Sequence, residues 1–271
     1  MSNSFSLQGK SIIVTGGTGV LGKAFVEAIA GAGGSVGILG RNKVVAEERA
    51  HCISESGGNA IPLIADINNK EQLETAGKIM QDKFGSIDGL VNGAGGNIPE
   101  AIVEPGQDIF SLDMEALEKA MKLNLWGTVL PTQIFGKMIA QNKTGSIVNI
   151  SSLSSEKALT KVLGYSLGKS AIDCYTRWMA IELANRYGDA LRMNAIMPGF
   201  ILTEQNRALL TNTDGSYTER GQLIIQNTPY KRMGSAEELK GVLLWLLSDA
   251  SLFVTGTIVT VDGGFSAFSG V

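Results

Sequence analysis

Histidine and cysteine are nearly absent. The chain of 271 residues holds one histidine, His51, and two cysteines, Cys52 and Cys174. One imidazole on an exposed helical stretch argues against a metal site, and two scattered thiols make no disulfide framework. Both cysteines are expected reduced, with Cys174 a small core residue. Basic runs are lacking too. The net charge is −3 and the pI about 5.4, so neither nucleic acid nor an anionic membrane is expected as a partner. No apolar run reaches the roughly 18 residues that span a bilayer. The start, "MSNSFSLQGK", lacks the basic-then-apolar layout of a secretion signal. A soluble cytoplasmic protein is expected. What the chain does have is glycine, 34 residues, and 44% hydrophobic content, enough for a sizeable core with many tight turns.

Short apolar runs alternate with helical patterns along the whole length. "KSIIVTG", "SVGILG", "NAIPLIAD", "SIDGLVNGAG", "GSIVNISS", "LRMNAIMPG" and "GTIVTVDGG" read as strands. They are continuously apolar rather than alternating, as strands covered on both faces are. Helical segments separate them, including a long one over about 113–141 with Pro131 a kink, and "YSLGKSAIDCYTRWMAIELANRYG". Ser235 and Glu238 are spaced as a capping box. The expected fold is α/β: a single-domain Rossmann-like, doubly wound parallel sheet of about seven strands, helices on both faces. Residues 96–112 and 203–232 look like insertions beside a site, the second long enough for a lid. Trp126, Trp178 and Trp245 sit among apolar residues and read as core or interface.

The stretch "VTGGTGVLG" from Val14 to Gly22 lies between the first strand and the first helix. In that position a G-x-G-x-x-G lets the backbone approach a pyrophosphate, with the helix N–H groups binding its charge. The plain alternative is a strand–helix turn. A carboxylate after strand two would hold the ribose 2′-hydroxyl of NAD, and a cation the 2′-phosphate of NADP. That position is Gly40, followed by Arg41, which leans to NADP. Asp66 is expected to contact the adenine edge, or to be the N-cap of the helix after it.

Tyr165 and Lys169 form Y-x-x-x-K on one helical face. A cation beside a phenol lowers its pKa and allows proton exchange near neutral pH. Ser152 stands thirteen residues earlier at a strand end, where its hydroxyl can bind the same substrate oxygen.

Thr15-Gly16, "NGAG" (Asn92 to Gly95), Asn124 in "KLNLWG", Ser152, "YSLGK", Pro198-Gly199 and "VDGG" resemble, in order and spacing, the short-chain dehydrogenase/reductase family over about residues 7–264. The resemblance implies that Ser152 polarises a carbonyl, Tyr165 exchanges its proton, Lys169 binds the nicotinamide ribose and tunes Tyr165, and Asn124 holds a relay water. It implies NAD or NADP bound along Gly16, Thr18, Gly19, Val20 and Leu21; Arg41, Asp66 and Ile67; Asn92, Ala94 and Gly95; Tyr165 and Lys169; and Pro198, Gly199, Ile201 and Thr203. The loop departs from the pattern T-G-x-x-x-G-x-G, with Val20 in place of a glycine and Gly19 one step early, a spacing of the longer, epimerase-like branch. Gly19 also stands where NADP-preferring relatives carry a basic residue, which weakens the sign from Arg41.

"NGAGGNIPEA", "MPGFILTEQNRALL" and "VDGGFSAFSGV" are similar to short-chain fructuronate reductases, also called D-mannonate oxidoreductases. That likeness implies a keto sugar acid as substrate. A uronate needs a cation for its carboxylate and polar groups for its hydroxyls. Lys157, Lys161 and Arg207 are the candidate cations; Asn97, Gln205 and Asn206 are the candidate hydroxyl binders. The alternatives are reduction of another keto-polyol or a ketoacyl thioester, or a non-catalytic dinucleotide sensor. Relatives are commonly homotetramers, and the apolar tail "GFSAFSGV" is expected to pack on a neighbouring subunit.

Overall fold

The computed structural model describes residues 4–104 and 106–270, apart from the side chains of Glu204, Gln205 and Ala208. The sheet comprises β1 (Ser11–Thr15), β2 (Ser35–Gly40), β3 (Asn59–Ile64), β4 (Gly89–Asn92), β5 (Gly145–Ile150), β6 (Leu191–Pro198) and β7 (Ile258–Val261). Its seven strands lie in the order β3-β2-β1-β4-β5-β6-β7, every pair parallel. All residues of β1, β4 and β6 are buried, which is why these strands read as mainly apolar without strict alternation.

The helices are α1 (Val20–Gly31), α2 (Lys43–Glu55), α3 (Lys70–Phe84), α4 (Met114–Met121), α5 (Gly127–Gln141), α6 (Leu163–Tyr187), α7 (Glu204–Leu210), α8 (Glu219–Asn227) and α9 (Lys240–Leu247). One face of the sheet packs Phe25 and Ile29 of α1, Ile53 of α2 and Leu243 of α9. The other packs Leu73 and Met80 of α3, Phe135 of α5 and Leu183 of α6. This is the doubly wound architecture the sequence predicts. The strand order reverses between β1 and β4, and their carboxyl ends open the crevice where such folds bind ligands. No helix among the described residues is long and apolar enough to cross a membrane.

Local details differ from expectation. The segment 113–141 is two helices joined by a π-helical turn, Lys122–Trp126. Pro131 lies inside α5, and the irregularity falls one turn upstream of it. A π turn changes the helical hydrogen-bond register locally, and here it carries Asn124 into the core. Asn69, not Asp66, caps α3, accepting the Gln72 N–H; Asp66 instead accepts from Asn68 N–H in a local turn. Cys174 and Trp178 are exposed on α6, and Trp126 is exposed at the end of the π turn. Phe265 of the tail stacks edge-on against Phe200 of the same chain at 5.1 Å. Ser235 and Glu238 form the capping box, with Glu238 also gripping Arg232.

Candidate active site

The glycine loop runs from the end of β1 into α1. Gly16 has φ +65°, and a Cβ there would lie 2.8 Å from the Ala94 backbone. A Cβ on Gly22 would collide with the Gly16 carbonyl oxygen. These two positions demand glycine. Gly19 does not: its backbone is extended at φ −83°, ψ −178°, and a Cβ would sit 3.3 Å from the Gly16 oxygen. The offset spacing therefore leaves the required glycines in place, and Val20 points its side chain partly to solvent. No side chain caps α1 and its first turn holds no acidic residue, so its leading N–H groups are free to bind an anion. The loop fits a dinucleotide pyrophosphate.

Sequence reasoning missed Arg49. From α2 its Nη1 donates to the carbonyls of Gly17 at 2.5 Å and Gly19 at 2.8 Å. Burial lowers its pKa, opposed by Glu27 and Glu48. No local motif marks it, since its partners are backbone atoms thirty residues away in sequence. At the end of β2, a Cβ on Gly40 would meet the Thr18 hydroxyl at 2.6 Å. Thr18 thus occupies the space an acidic residue would enter, and Arg41 beside it is exposed.

Ser152 follows β5, Tyr165 and Lys169 lie in the first turns of α6, and all three line one cavity of about 220 Å³. Leu21, Gly95, Pro198, Gly199, Ile201 and Thr203 line it as well. Tyr165 shares a hydrogen bond with Ser152, but burial dominates and pushes the phenol above its ordinary pKa. The expected lowering by Lys169 is not what the chain alone produces. Lys169 is buried, its Nζ lies 5.5 Å from the Tyr165 ring centre, and it donates to Ile150 O at 2.7 Å. Burial brings its pKa down to about 8, with Asp173 opposing.

Asn124 is fully buried. Its Oδ1 accepts from Gly96 N–H at 3.0 Å, and its Nδ2 donates to Gly96 O at 2.8 Å and Ala120 O at 2.9 Å. The side chain is therefore committed to the loop after β4, and the expected relay water is left the backbone carbonyl, which already accepts from Thr128 Oγ1. Asn92 is partly engaged: its Nδ2 donates to Thr132 Oγ1 and Asn149 Oδ1, while its Oδ1 is buried without a partner. Ala94 N–H donates to Thr15 Oγ1. Ile67 packs under Gly127 in the core.

The proposed substrate binders divide. Asn97 lines the cavity, and its Oδ1 is buried with no hydrogen-bond partner. Asn206 also lines it; its Oδ1 accepts from Thr203 N–H as the reciprocal half of the α7 capping box, and its Nδ2 donates to Ile201 O, which leaves one lone pair and one N–H of the amide for a ligand. Lys157 and Arg207 are exposed, and neither they nor Lys161 line the cavity. The side chain of Gln205 lies outside the described residues. Ser154 and Arg220 line the cavity and were not anticipated.

A parallel sheet with this strand order, a glycine loop on a bare helix N-terminus and a Ser–Tyr–Lys cluster at the crevice define a dinucleotide-dependent oxidoreductase. Comparison with known proteins agrees. A family model described as enoyl-(acyl carrier protein) reductase matches residues 18–266. An uncharacterized oxidoreductase of Bacillus subtilis is 42% identical, the match covering 98% of each chain. A crystal structure from Haemophilus influenzae with bound NAD, provisionally described as a D-mannonate oxidoreductase, superposes with a TM-score of 0.91 at 38% identity over 98% of each chain. A gluconate 5-dehydrogenase from Burkholderia cenocepacia, in complex with NADP and tartrate, superposes with a TM-score of 0.85 at 29% identity, over 97% of this chain and 98% of that one. The chain belongs to the short-chain dehydrogenase/reductase family: it is an oxidoreductase acting on CH–OH groups with NAD or NADP.

Proposed function

We propose that the protein interconverts a keto-hexuronate and its aldonate, fructuronate and D-mannonate being the leading pair. The observation that carries this reading is the meeting of Ser152, Tyr165 and Lys169 in a cavity whose wall holds the unpartnered Asn97 Oδ1. An unpartnered buried acceptor calls for a hydroxyl-bearing ligand. The likeness to the provisional D-mannonate oxidoreductase and to the gluconate dehydrogenase supports it.

When bound, the nicotinamide supplies or accepts the hydride at the substrate carbon. Ser152 hydrogen-bonds the substrate oxygen. Tyr165 gives that oxygen its proton in reduction and takes it back in oxidation. Lys169 orients the ribose and is the nearest proton reservoir, and Asn124 acts by holding Gly96, beside Asn97. The segment 203–232 is the lid of a single nucleotide-binding domain. Arg41, with no acidic residue before it, leaves the adenosine ribose open to a 2′-phosphate. The reading includes a cytoplasmic homotetramer, supported by the exposed Trp178 and Ile181 on α6; a monomer at micromolar concentration by light scattering would contradict the assembly.

The test is purified protein with NADH and NADPH in parallel against keto-uronates, neutral keto-sugars and ketoacyl esters. Turnover of fructuronate at the highest kcat/KM upholds the reading, and a preference for ketoacyl esters overturns it.

A further inference from the structure

The cavity has a charge imbalance that the catalytic groups do not explain. Two cations line it, Lys169 and Arg220, and no carboxylate does among the described residues. Lys169 is engaged at Ile150 O. Among the described residues Arg220, on α8, hydrogen-bonds Thr160: Nη1 donates to its Oγ1 at 3.2 Å and Nη2 reaches its carbonyl at 3.5 Å. Other cations of the same segment are committed elsewhere. Arg232 pairs with Glu238, and Lys231 donates to Gln226 O. A guanidinium has five N–H donors and a fork that matches a carboxylate, so two contacts to one threonine leave most of that capacity unfilled.

Two buried polar atoms on the same cavity are also unsatisfied, Asn97 Oδ1 and Ser154 Oγ. The first can only accept; the second can donate or accept. A cation with neutral partners, an acceptor without a donor and a free hydroxyl together describe a ligand with a carboxylate and several hydroxyls. A bare fatty acyl chain would satisfy none of them, and a neutral sugar would leave Arg220 without a counter-charge.

We propose that Arg220 binds the substrate carboxylate and makes the enzyme selective for polyhydroxy acids, with Asn97 and Ser154 receiving hydroxyls. The proposal rests on the sugar-acid reading above and assigns its specificity to a residue of the lid. Thr160, exposed on the loop that leads from Ser152 to α6, holds the guanidinium by these two contacts.

The experiment compares wild type, Arg220→Gln and Arg220→Lys on a keto-uronate and on its neutral uronamide. Removing the cation that pairs with the carboxylate should lower kcat/KM for the uronate at least about tenfold in Arg220→Gln, mainly through KM, with Arg220→Lys retaining part of it. The uronamide should change less than about threefold. An equal loss on both substrates would assign Arg220 to holding the lid and overturn the proposal, as would no loss on either. If wild type reduces no keto-uronate, the functional reading fails by itself. Calorimetric titration of D-gluconate into the NAD-loaded proteins then decides Arg220. Binding to wild type that is lost in Arg220→Gln upholds the carboxylate site; equal or absent binding overturns it.

Discussion

Asn124 and Gly96 hold each other by two hydrogen bonds, the amide oxygen accepting Gly96 N–H and the amide nitrogen donating to Gly96 O. The π turn that interrupts the helix before α5 sets Asn124 at this depth, and Gly96 is the residue between the crevice glycine Gly95 and Asn97. A helix-borne side chain thus fixes the wall against which substrate and cofactor meet. In Asn124→Ala both backbone groups of Gly96 lose their partners while remaining buried. The expected cost is about 2 kcal/mol, read as a lower midpoint in thermal or urea unfolding, with a fall in kcat. Unchanged stability would show that the pair does not brace the loop.

Tyr165→Phe removes the phenolic oxygen and its hydrogen bond with Ser152 but keeps the ring beneath which Lys169 lies. Turnover should fall by about a thousandfold or more. Cofactor affinity, measured by quenching or transfer of protein fluorescence, should stay near the wild-type value. Retained kcat would remove Tyr165 from proton transfer.

Lys169 gives a prediction with opposite signs for stability and activity. Its pKa is depressed to about 8 from 10.5, so the folded state binds its proton more weakly than the unfolded chain. The resulting penalty grows as pH falls from 10.5 to about 8 and is constant below that. Lys169→Met removes it at the cost of the bond to Ile150 O. At pH 7 the variant should be more stable by about 1–2 kcal/mol and inactive. In the wild type, kcat/KM for carbonyl reduction should decline as pH rises through about 8, where Lys169 loses its charge. A flat profile to pH 9.5 would separate Lys169 from the proton path.

The glycine loop makes a graded prediction. Gly19→Ala requires only a small shift away from the Gly16 oxygen, whereas Gly22→Ala places a methyl group on that same oxygen. Cofactor Kd should rise less than about threefold in the first and more than about a hundredfold in the second. Equal effects would contradict the assignment of the two essential glycines.

Arg49→Met tests the clamp on the same loop. Losing charge-assisted bonds to Gly17 O and Gly19 O should raise cofactor Kd about tenfold, with kcat at saturating cofactor nearly unchanged. A loss confined to kcat would place Arg49 elsewhere in the cycle.

The architecture was legible because burial on both faces of a parallel sheet leaves a local imprint, an apolar run such as Ile12 to Val14 or Ala195 to Met197. The Y-x-x-x-K spacing was legible because a helix turns i and i+4 to one side. What remained hidden depended on partners distant in sequence. That the Asn124 side chain holds Gly96 depends on a π turn that no residue type announces. Gly40 reads as a missing carboxylate, and only the fold shows Thr18 filling the space that a side chain there would enter.

By itself, then, the chain's order of residues determined the sheet and the shared face of Tyr165 and Lys169, which follow from short-range periodicity, while Ser152 and the cofactor class were read with the help of the family resemblance. Tertiary structure alone decided which cations face the cavity. Arg207 and Arg220 are thirteen residues apart in one polar segment and are indistinguishable as letters. Only the folding of that segment over the crevice, a matter of packing and of bonds such as Arg220 to Thr160, turns one inward and leaves the other exposed.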